Sequence, residues 1–288
     1  MKWVELNSPQ LGSVSRETIC VLPLGATEQH GPHLPLATDQ IIADGLAERL
    51  DAACGGKLLV MPGLPATCSE HHMAFPGSLT LDHETFARVV GQLIHSAARH
   101  GFRRFFLLNA HGGNMAIGGV IAEQLSTSLP DAEVVFGTWF RMAGERLRQL
   151  VEGTYPAVGH ACEFETSLLL ALRPDLVDRA AIADDGVAPT SPLLKFDLLS
   201  GGPTVRSAAF ETFTTNGVWG KPSKATAEKG HAILTITIPL IKELLQAHWP
   251  SAPGLDREAP TPTAESAARP ATAEPGAASK PSSRRVTA

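Results

Sequence analysis

At 288 residues, the chain is long enough to bury the core of one large domain or of two smaller ones. Hydrophobic residues make up 43% of it and charged residues 18%, a composition typical of globular proteins. Because the net charge at pH 7 is only −5, charge gives no reason to expect nucleic acid or a membrane surface as a partner, and we expect a small or peptide-like substrate.

Strand-like and helix-like segments alternate along most of the chain. Apolar runs typical of buried strands cover residues 18–25, 58–61, 103–109 and 133–138. Apolar residues recur at helical spacing over residues 39–53, 82–100, 114–129, 163–172 and 224–248. Asp82 and Ser223 are placed to cap two of these helices. The alternation predicts an α/β fold, a three-layer α/β/α sandwich with a mainly parallel central sheet.

The composition changes sharply after Trp249. Residues 250–288 consist mainly of Ala, Pro, Ser, Thr and Glu, with too few apolar side chains to offset the entropy cost of ordering them. We predict one domain over residues 1–249 and a disordered tail over residues 250–288. Because the N-terminus lacks the apolar run of a signal peptide and the four cysteines lack disulfide-like spacing, a reducing cytoplasm is the expected location.

A polar cluster follows the first predicted strand. Glu28, His30 and Asp39 lie in a stretch rich in Gly and Pro, which can bend the main chain so that their side chains converge. Two carboxylates and an imidazole are ligands that Zn²⁺, Mn²⁺ or Fe²⁺ accept. Alternatively, Asp39 only caps a helix and Glu28 lies on the surface, but this leaves the Gly- and Pro-rich setting unexplained. We therefore predict a metal site.

A second cluster follows the third predicted strand. His111 lies between that strand and a helix that opens at Asn114, and active sites of parallel sheets collect at the carboxyl ends of strands. Gly112 and Gly113 would let a ligand approach the main chain closely, and the helix N-terminus could stabilise a developing oxyanion. A Gly-Gly pair can also be a simple tight turn.

Further candidates lie at residues 160–165 and 70–72. His160 could protonate a departing nitrogen, and one nearby acid could complete the coordination of a second metal ion. The helix register leaves open whether that acid is Glu163 or Glu165. His71 or His72 could line the substrate pocket, or both could be structural histidines.

Six motifs together resemble the creatininase (creatinine amidohydrolase) family, in family order over roughly residues 17–247. They are GATEQHGPHLP at 25–35, Asp39, FPG at 75–77, NAHGGN at 109–114, ETS at 165–167 and GKPSKAT at 220–226. The resemblance implies a three-layer α/β fold around two divalent ions per subunit, in subunits that assemble as hexamers.

The resemblance also implies a role for each candidate residue. Glu28 and His111 would bind one ion, His30 the other and Asp39 both. His160 matches a histidine near the catalytic centre of the creatinine-hydrolysing members. Glu165 belongs to the shared Glu-Thr-Ser element and is the candidate for a further ligand and, with His160, for a catalytic residue.

One motif departs from creatinine hydrolases proper, which carry His-Tyr-Glu where this chain has His111, Gly112 and Gly113. Their glutamate binds the second metal. Since Gly113 cannot, either Glu165 or another acid replaces it, or the second site is weak or empty. Creatinine is therefore not expected to be the physiological substrate, and the chain is assigned to a His-Gly-Gly-Asn subgroup that includes formamidopyrimidine-type deformylases and the peptidase of mycofactocin maturation.

The expected function is that of a metal-dependent amidohydrolase. Metal-activated hydroxide would attack an amide, cyclic amide or formamide carbonyl and cleave the C–N bond. Two alternatives stay open, a peptidase of mycofactocin-type modified-peptide maturation and a catalytically silent metal-binding scaffold.

Overall fold

Parallel strands form a four-stranded central sheet in the computed structural model of the chain. The structure describes residues 1–153, 158–188, 191–194 and 197–255. The strands are β1 (Ile19–Leu24), β2 (Leu59–Val60), β3 (Arg104–Asn109) and β4 (Glu133–Thr138), in the spatial order β2-β1-β3-β4. Leu24 pairs with Asn109 and Asn109 with Thr138, so three strands end level at one edge. The predicted parallel sheet is confirmed.

Helices cover both faces of the sheet. Those in the described residues are α1 (Ser8–Ser13), α2 (Thr38–Ala53), α3 (His83–Arg99), α4 (Met115–Ser128), α5 (Trp139–Met142), α6 (Gly144–Leu147), α7 (Glu163–Leu172) and α8 (Ala227–His248). The five predicted helices correspond to α2, α3, α4, α7 and α8.

Two hydrophobic cores lie on opposite faces of the sheet, because successive strand side chains point to opposite sides. Val21 of β1 belongs to a core with Ile42 of α2 and Ile233 of α8. Its neighbour Leu22 belongs to a second core with Phe86 of α3. The fold therefore has the predicted three layers, with α2, α7 and α8 on one face and α3 and α4 on the other.

Of the two predicted helix caps, one is confirmed and one is wrong. The Asp82 side chain accepts a hydrogen bond from the first turn of α3. The prediction for Ser223 fails because that residue lies in a 3-10 turn, Pro222–Lys224, and its hydroxyl donates to Asp184 at 2.8 Å. The side chain of Thr226 caps α8 instead, so this helix begins later than predicted.

The last described residues still belong to the fold. Ala252 and Leu255 are buried in the core that contains α8, so packing continues past the predicted boundary at Trp249. The rest of the predicted tail lies outside the described residues. Among the helices that the structure describes, none is long and apolar enough to cross a membrane.

The packing of α7 on α8 depends on the absence of a side chain at Gly230. A Cβ there would lie 2.0 Å from the carbonyl oxygen of Ser167, whereas a Cβ at Gly119 of α4 would meet nothing within 4 Å. We expect Gly230→Ala to lower the free energy of unfolding by about 1–3 kcal/mol through overpacking. Gly119→Ala should raise it by about 0.5–1 kcal/mol, since alanine loses less backbone entropy than glycine on folding. Urea unfolding followed by circular dichroism would measure both, and equal midpoints would contradict this account.

Candidate metal centre

Four of the predicted ligands meet at the carboxyl ends of β1 and β3. Glu28 and His30 lie in the loop after β1, Asp39 in the first turn of α2, and His111 directly after β3. The side chain of Asp39 lies between the two imidazoles, with Oδ1 3.3 Å from His30 Nε2 and Oδ2 2.9 Å from His111 Nδ1. Glu28 Oε1 lies 3.3 Å from the same His111 nitrogen. All four residues are buried.

The loop after β1 turns back on itself, which brings Asp39 to Glu28. The amide of Glu28 donates to the carbonyl of Leu36 at 3.0 Å, closing the loop just before α2 begins. Gly31 has a φ of +65°, and a Cβ there would lie 2.4 Å from the side chain of Val218. This turn therefore needs glycine, as the Gly- and Pro-rich sequence indicates.

His160 and Glu165 approach the same cluster from the start of α7. His160 Nδ1 lies 3.5 Å from Glu28 Oε1, and its ring centroid lies 4.1 Å from that of His30. A ligand atom of Glu165 lies within 4.8 Å of ligand atoms of both histidines. Ala161 adopts a left-handed φ of 50°, and its amide donates to Glu165 Oε2 at 2.5 Å.

The two acids at the start of α7 point in different directions. Glu163 points away from the cluster, and Lys229 of α8 donates to its Oε2 at 2.6 Å. It also accepts hydrogen bonds from the amides of Glu152 and Gly153. Glu163 therefore joins α7 to α8 and to a loop, and Glu165 is the acid that faces the candidate metal centre.

His72 also belongs to the cluster, although the sequence predicts at most that His71 or His72 lines the substrate pocket. It is buried, with Nε2 3.3 Å from Glu28 Oε1. His71 forms a further group with Glu28 and His111 in which ligand atoms lie within 4.8 Å of one another. Their position after β2, which lies next to β1 in the sheet, is a signal that places them at this edge.

Several oxygen and nitrogen atoms of this cluster that could bind a metal ion have no hydrogen-bond partner among the described residues. These include both carboxylate oxygens of Glu28 and Nε2 of His30. A buried carboxylate without a partner is costly unless a cation or a hydrogen-bond donor compensates it. Since the unpaired atoms are hard and borderline metal ligands, the cluster fits a divalent ion.

Three histidines have the hydrogen-bonding pattern typical of metal ligands. In each, one ring nitrogen lies at a main-chain carbonyl oxygen, which leaves the other nitrogen facing the carboxylates. Metal-binding histidines usually donate their second ring N–H in this way. The pairs are His30 Nδ1 with Glu28 O at 3.1 Å, His111 Nε2 with Cys68 O at 2.9 Å, and His160 Nε2 with Gln29 O at 2.6 Å.

The electrostatics of the cluster favour positive charge at its centre. Burial opposes a charge on His30, but Asp39 outweighs this effect and raises the pKa of His30 to about 9. In the same way, Glu28 and Asp39 raise the pKa of His111 well above its usual value despite burial. Burial alone would raise the pKa of Glu28, yet the neighbouring histidines hold it well below its ordinary value.

Glu165 and His160 are shifted toward their uncharged forms. Burial raises the pKa of Glu165 to about 7, with the charge of His30 opposing the shift. Burial, together with His30 and His72, holds the pKa of His160 well below its usual value. Glu165 is thus a buried acid with too little positive charge around it, and His160 is a neutral imidazole.

A family model described as creatininase, creatinine amidohydrolase, matches residues 4–245. This match covers most of the chain, so the protein belongs to the creatininase family, as the motifs predict. It is a hydrolase that acts on carbon–nitrogen bonds.

Individual relatives agree with the family match. The chain is 29% identical over 250 residues to the creatinine amidohydrolase of Pseudomonas putida, covering 81% of this chain and 91% of that one. It is 31% identical over 239 residues to the mycofactocin precursor peptide peptidase of Mycobacterium tuberculosis, strain ATCC 25618 / H37Rv, covering 80% and 85%. A solved creatininase variant of Zn–Zn type superposes with a TM-score of 0.72 at 27% identity, covering 86% of this chain and 98% of that one.

The space around Gly113 explains why this position carries no side chain. A Cβ there would lie 2.2 Å from Cys68 O and 2.4 Å from His111 Nε2, the two atoms of the hydrogen bond that orients this imidazole. A Cβ on Gly112 would meet only Leu198, at 3.5 Å. A glutamate at position 113 therefore does not fit beside His111 as it is placed here.

We expect Gly113→Ala to displace His111 and to lower the metal content of the purified protein, because the new Cβ would collide with both atoms of the hydrogen bond between His111 Nε2 and the Cys68 carbonyl. Gly112→Ala is the matched control and should keep the metal content of the wild type. Inductively coupled plasma mass spectrometry on both variants would measure this. Full metal content in Gly113→Ala would show that His111 is not needed in its present position.

Proposed function

We propose that this protein is a metal-dependent amidohydrolase that holds two divalent ions per subunit in the cluster at the carboxyl end of the sheet. The observation that carries the proposal is the group of buried carboxylates and imidazoles in which both carboxylate oxygens of Glu28, Nε2 of His30 and Oδ2 of Asp39 have no hydrogen-bond partner among the described residues. The proposed ligands are Glu28, His30, Asp39, His111 and Glu165.

The geometry of Asp39 supports a two-ion arrangement. Its two oxygens face different histidines, His30 and His111, so one carboxylate can be shared between two ions. Glu28 and His111 would complete the first site. His30 and Glu165 would complete the second site, and Glu165 would supply the carboxylate that Gly113 lacks.

Mixed nitrogen and oxygen ligands are compatible with Zn²⁺, Mn²⁺ or Fe²⁺. The similarity to a Zn–Zn creatininase supports zinc as the first ion to test. By family resemblance we further propose a homohexamer, and sedimentation velocity would test this assembly. From the composition and the cysteine pattern we propose a cytoplasmic location and a disordered C-terminal tail.

Bound metal ions would polarise the scissile carbonyl and lower the pKa of an attacking water. His160 is buried and neutral, and its Nε2 is held at the carbonyl of Gln29, so Nδ1 is free to accept a proton on the side that faces Glu28. It could then give this proton to the departing nitrogen. His160 would therefore act as the predicted general acid only after it has acted as a base.

Metal content of acid variants tests the ligand assignment. We expect about two equivalents in the wild type, about one in Glu165→Gln, and none in Asp39→Ala, because Asp39 is shared. Glu163→Gln is the matched control. It removes a buried charge from the same helix turn, but the native Glu163 pairs with Lys229 and does not face the cluster. It should lose stability yet keep both equivalents.

A reversal of that pattern, with metal lost in Glu163→Gln and kept in Glu165→Gln, would contradict the assignment. No stoichiometric metal in the wild type would overturn the proposed mechanism and favour the catalytically silent scaffold.

Substrate class is the second property to test. We expect activity on a C–N bond of a small amide, cyclic amide, formamide or modified peptide, and its loss on treatment with a chelator, restored by adding zinc or manganese. A panel of formamides, cyclic amides including creatinine, and precursor peptides would be assayed by product release. Cleavage of peptides alone would favour the peptidase alternative, which the similarity to mycofactocin precursor peptide peptidase supports.

A further inference from the structure

Gln29 lies between two proposed ligands in sequence but points to a different set of atoms. It is 5% exposed. Its amide nitrogen lies 2.8 Å from His72 Nδ1, 3.2 Å from His160 Nε2 and 3.1 Å from the carbonyl oxygen of Gly217. Its amide oxygen accepts a hydrogen bond from the amide of Gly31 at 2.9 Å.

These contacts fix which way the Gln29 amide points. Gly31 offers only an N–H at this position, and Gly217 offers only a carbonyl oxygen. A flipped amide would place two donors together at Gly31 and two acceptors together at Gly217. The nitrogen of Gln29 therefore faces His72, and it can only donate.

The orientation of Gln29 determines the tautomer of His72. Because Nδ1 of His72 receives a hydrogen bond, it must carry a lone pair, so the proton of the neutral ring is on Nε2. That N–H faces Glu28 Oε1 at 3.3 Å. A neutral imidazole with a proton on Nε2 cannot bind a metal ion through the same atom.

His160 is held in a different way by the same residue. Its Nε2 lies 2.6 Å from the main-chain oxygen of Gln29, which can only accept, so Nε2 carries the proton. The 3.2 Å approach of the Gln29 amide nitrogen to this Nε2 is then a contact and not a hydrogen bond, because the two amide hydrogens are used by His72 Nδ1 and the Gly217 carbonyl. Nδ1 then has the lone pair, and this nitrogen is the one that faces Glu28, at 3.5 Å. Two neighbouring histidines, with ring centroids 4.4 Å apart, thus turn opposite groups, an N–H and a lone pair, toward one carboxylate.

We infer that Gln29 is a positioning residue that keeps the proton of neutral His72 on Nε2, the nitrogen that faces Glu28, and leaves a lone pair on the His160 nitrogen that faces the same carboxylate. The inference rests on the proposed metal site. It excludes His72 as a metal ligand, although its nitrogen lies as close to Glu28 as that of His111 does.

The surroundings hold Gln29 in this position. A Cβ on Gly217 would lie 1.9 Å from the Gln29 amide oxygen, so the glycine at this position is needed for the contact. The carboxylate of Asp185 accepts hydrogen bonds from Thr214 and Thr215, which fixes the loop that carries the Gly217 carbonyl.

The first test reads the tautomers directly. Protein labelled with ¹⁵N in the histidine rings would be studied by solid-state NMR, both metal-free and loaded with zinc, and the His72 signals would be assigned by their loss in His72→Gln. We expect a protonated Nε2 and an unprotonated Nδ1 in His72 in both states. A protonated Nδ1, or a zinc-shifted Nε2, would overturn the inference.

This experiment separates the inference from the proposed function. Absence of zinc binding would defeat the proposed function while the His72 tautomer could still be read in the metal-free protein. A His72 ring bound to stoichiometric zinc would instead keep the metal site and defeat the role of Gln29.

A second test changes the donor. Gln29→Met removes the amide nitrogen at similar length, and we expect the His72 ring to lose its single tautomer and show both forms. Ser78→Ala is the control. Ser78 accepts a hydrogen bond from the main-chain amide of Gln29, so this substitution leaves the amide side chain of Gln29 unchanged. An unchanged His72 tautomer in Gln29→Met would contradict the inference, and the wild-type spectrum decides the matter if that variant does not fold.

Discussion

The burial of carboxylates where the parallel strands end is the constraint on which the rest of the structure depends. Glu28 and Asp39 lie inside the protein, where a negative charge is stable only beside a positive one. Histidines from four separate segments of the chain surround these carboxylates, and the raised pKa values of His30 and His111 show how strongly the carboxylates attract positive charge. The site is therefore built to receive cations, with protons as the simplest of them.

The fold brings these groups together through strand register rather than through one continuous motif. The ends of β1, β3 and β4 are level, so the loops that follow them open at the same edge. The sequence predicts this well, because apolar runs and helical spacing identify each strand and helix locally. It also predicts Glu28, His30, Asp39 and His111, since each directly follows a strand or opens a helix.

What the sequence cannot predict are contacts between distant segments. Glu163 and Glu165 both lie in the first turn of α7, and their different partners, among them Lys229 of α8 for Glu163, separate their positions. The part played by His72 depends on Gln29, 43 positions earlier in the chain. The predicted start of α8 is wrong for a related reason. The Ser223 hydroxyl donates to Asp184 in a distant loop and does not cap the helix.

The crowding at Gly113 has a consequence for how this family could diversify. The family resemblance implies His-Tyr-Glu in creatinine hydrolases where this chain has His111, Gly112 and Gly113, and at position 113 the first added carbon would collide with the main chain at Cys68. The main chain at that point would have to move first. In this chain, any side chain at position 113 therefore requires a change in the neighbouring loop.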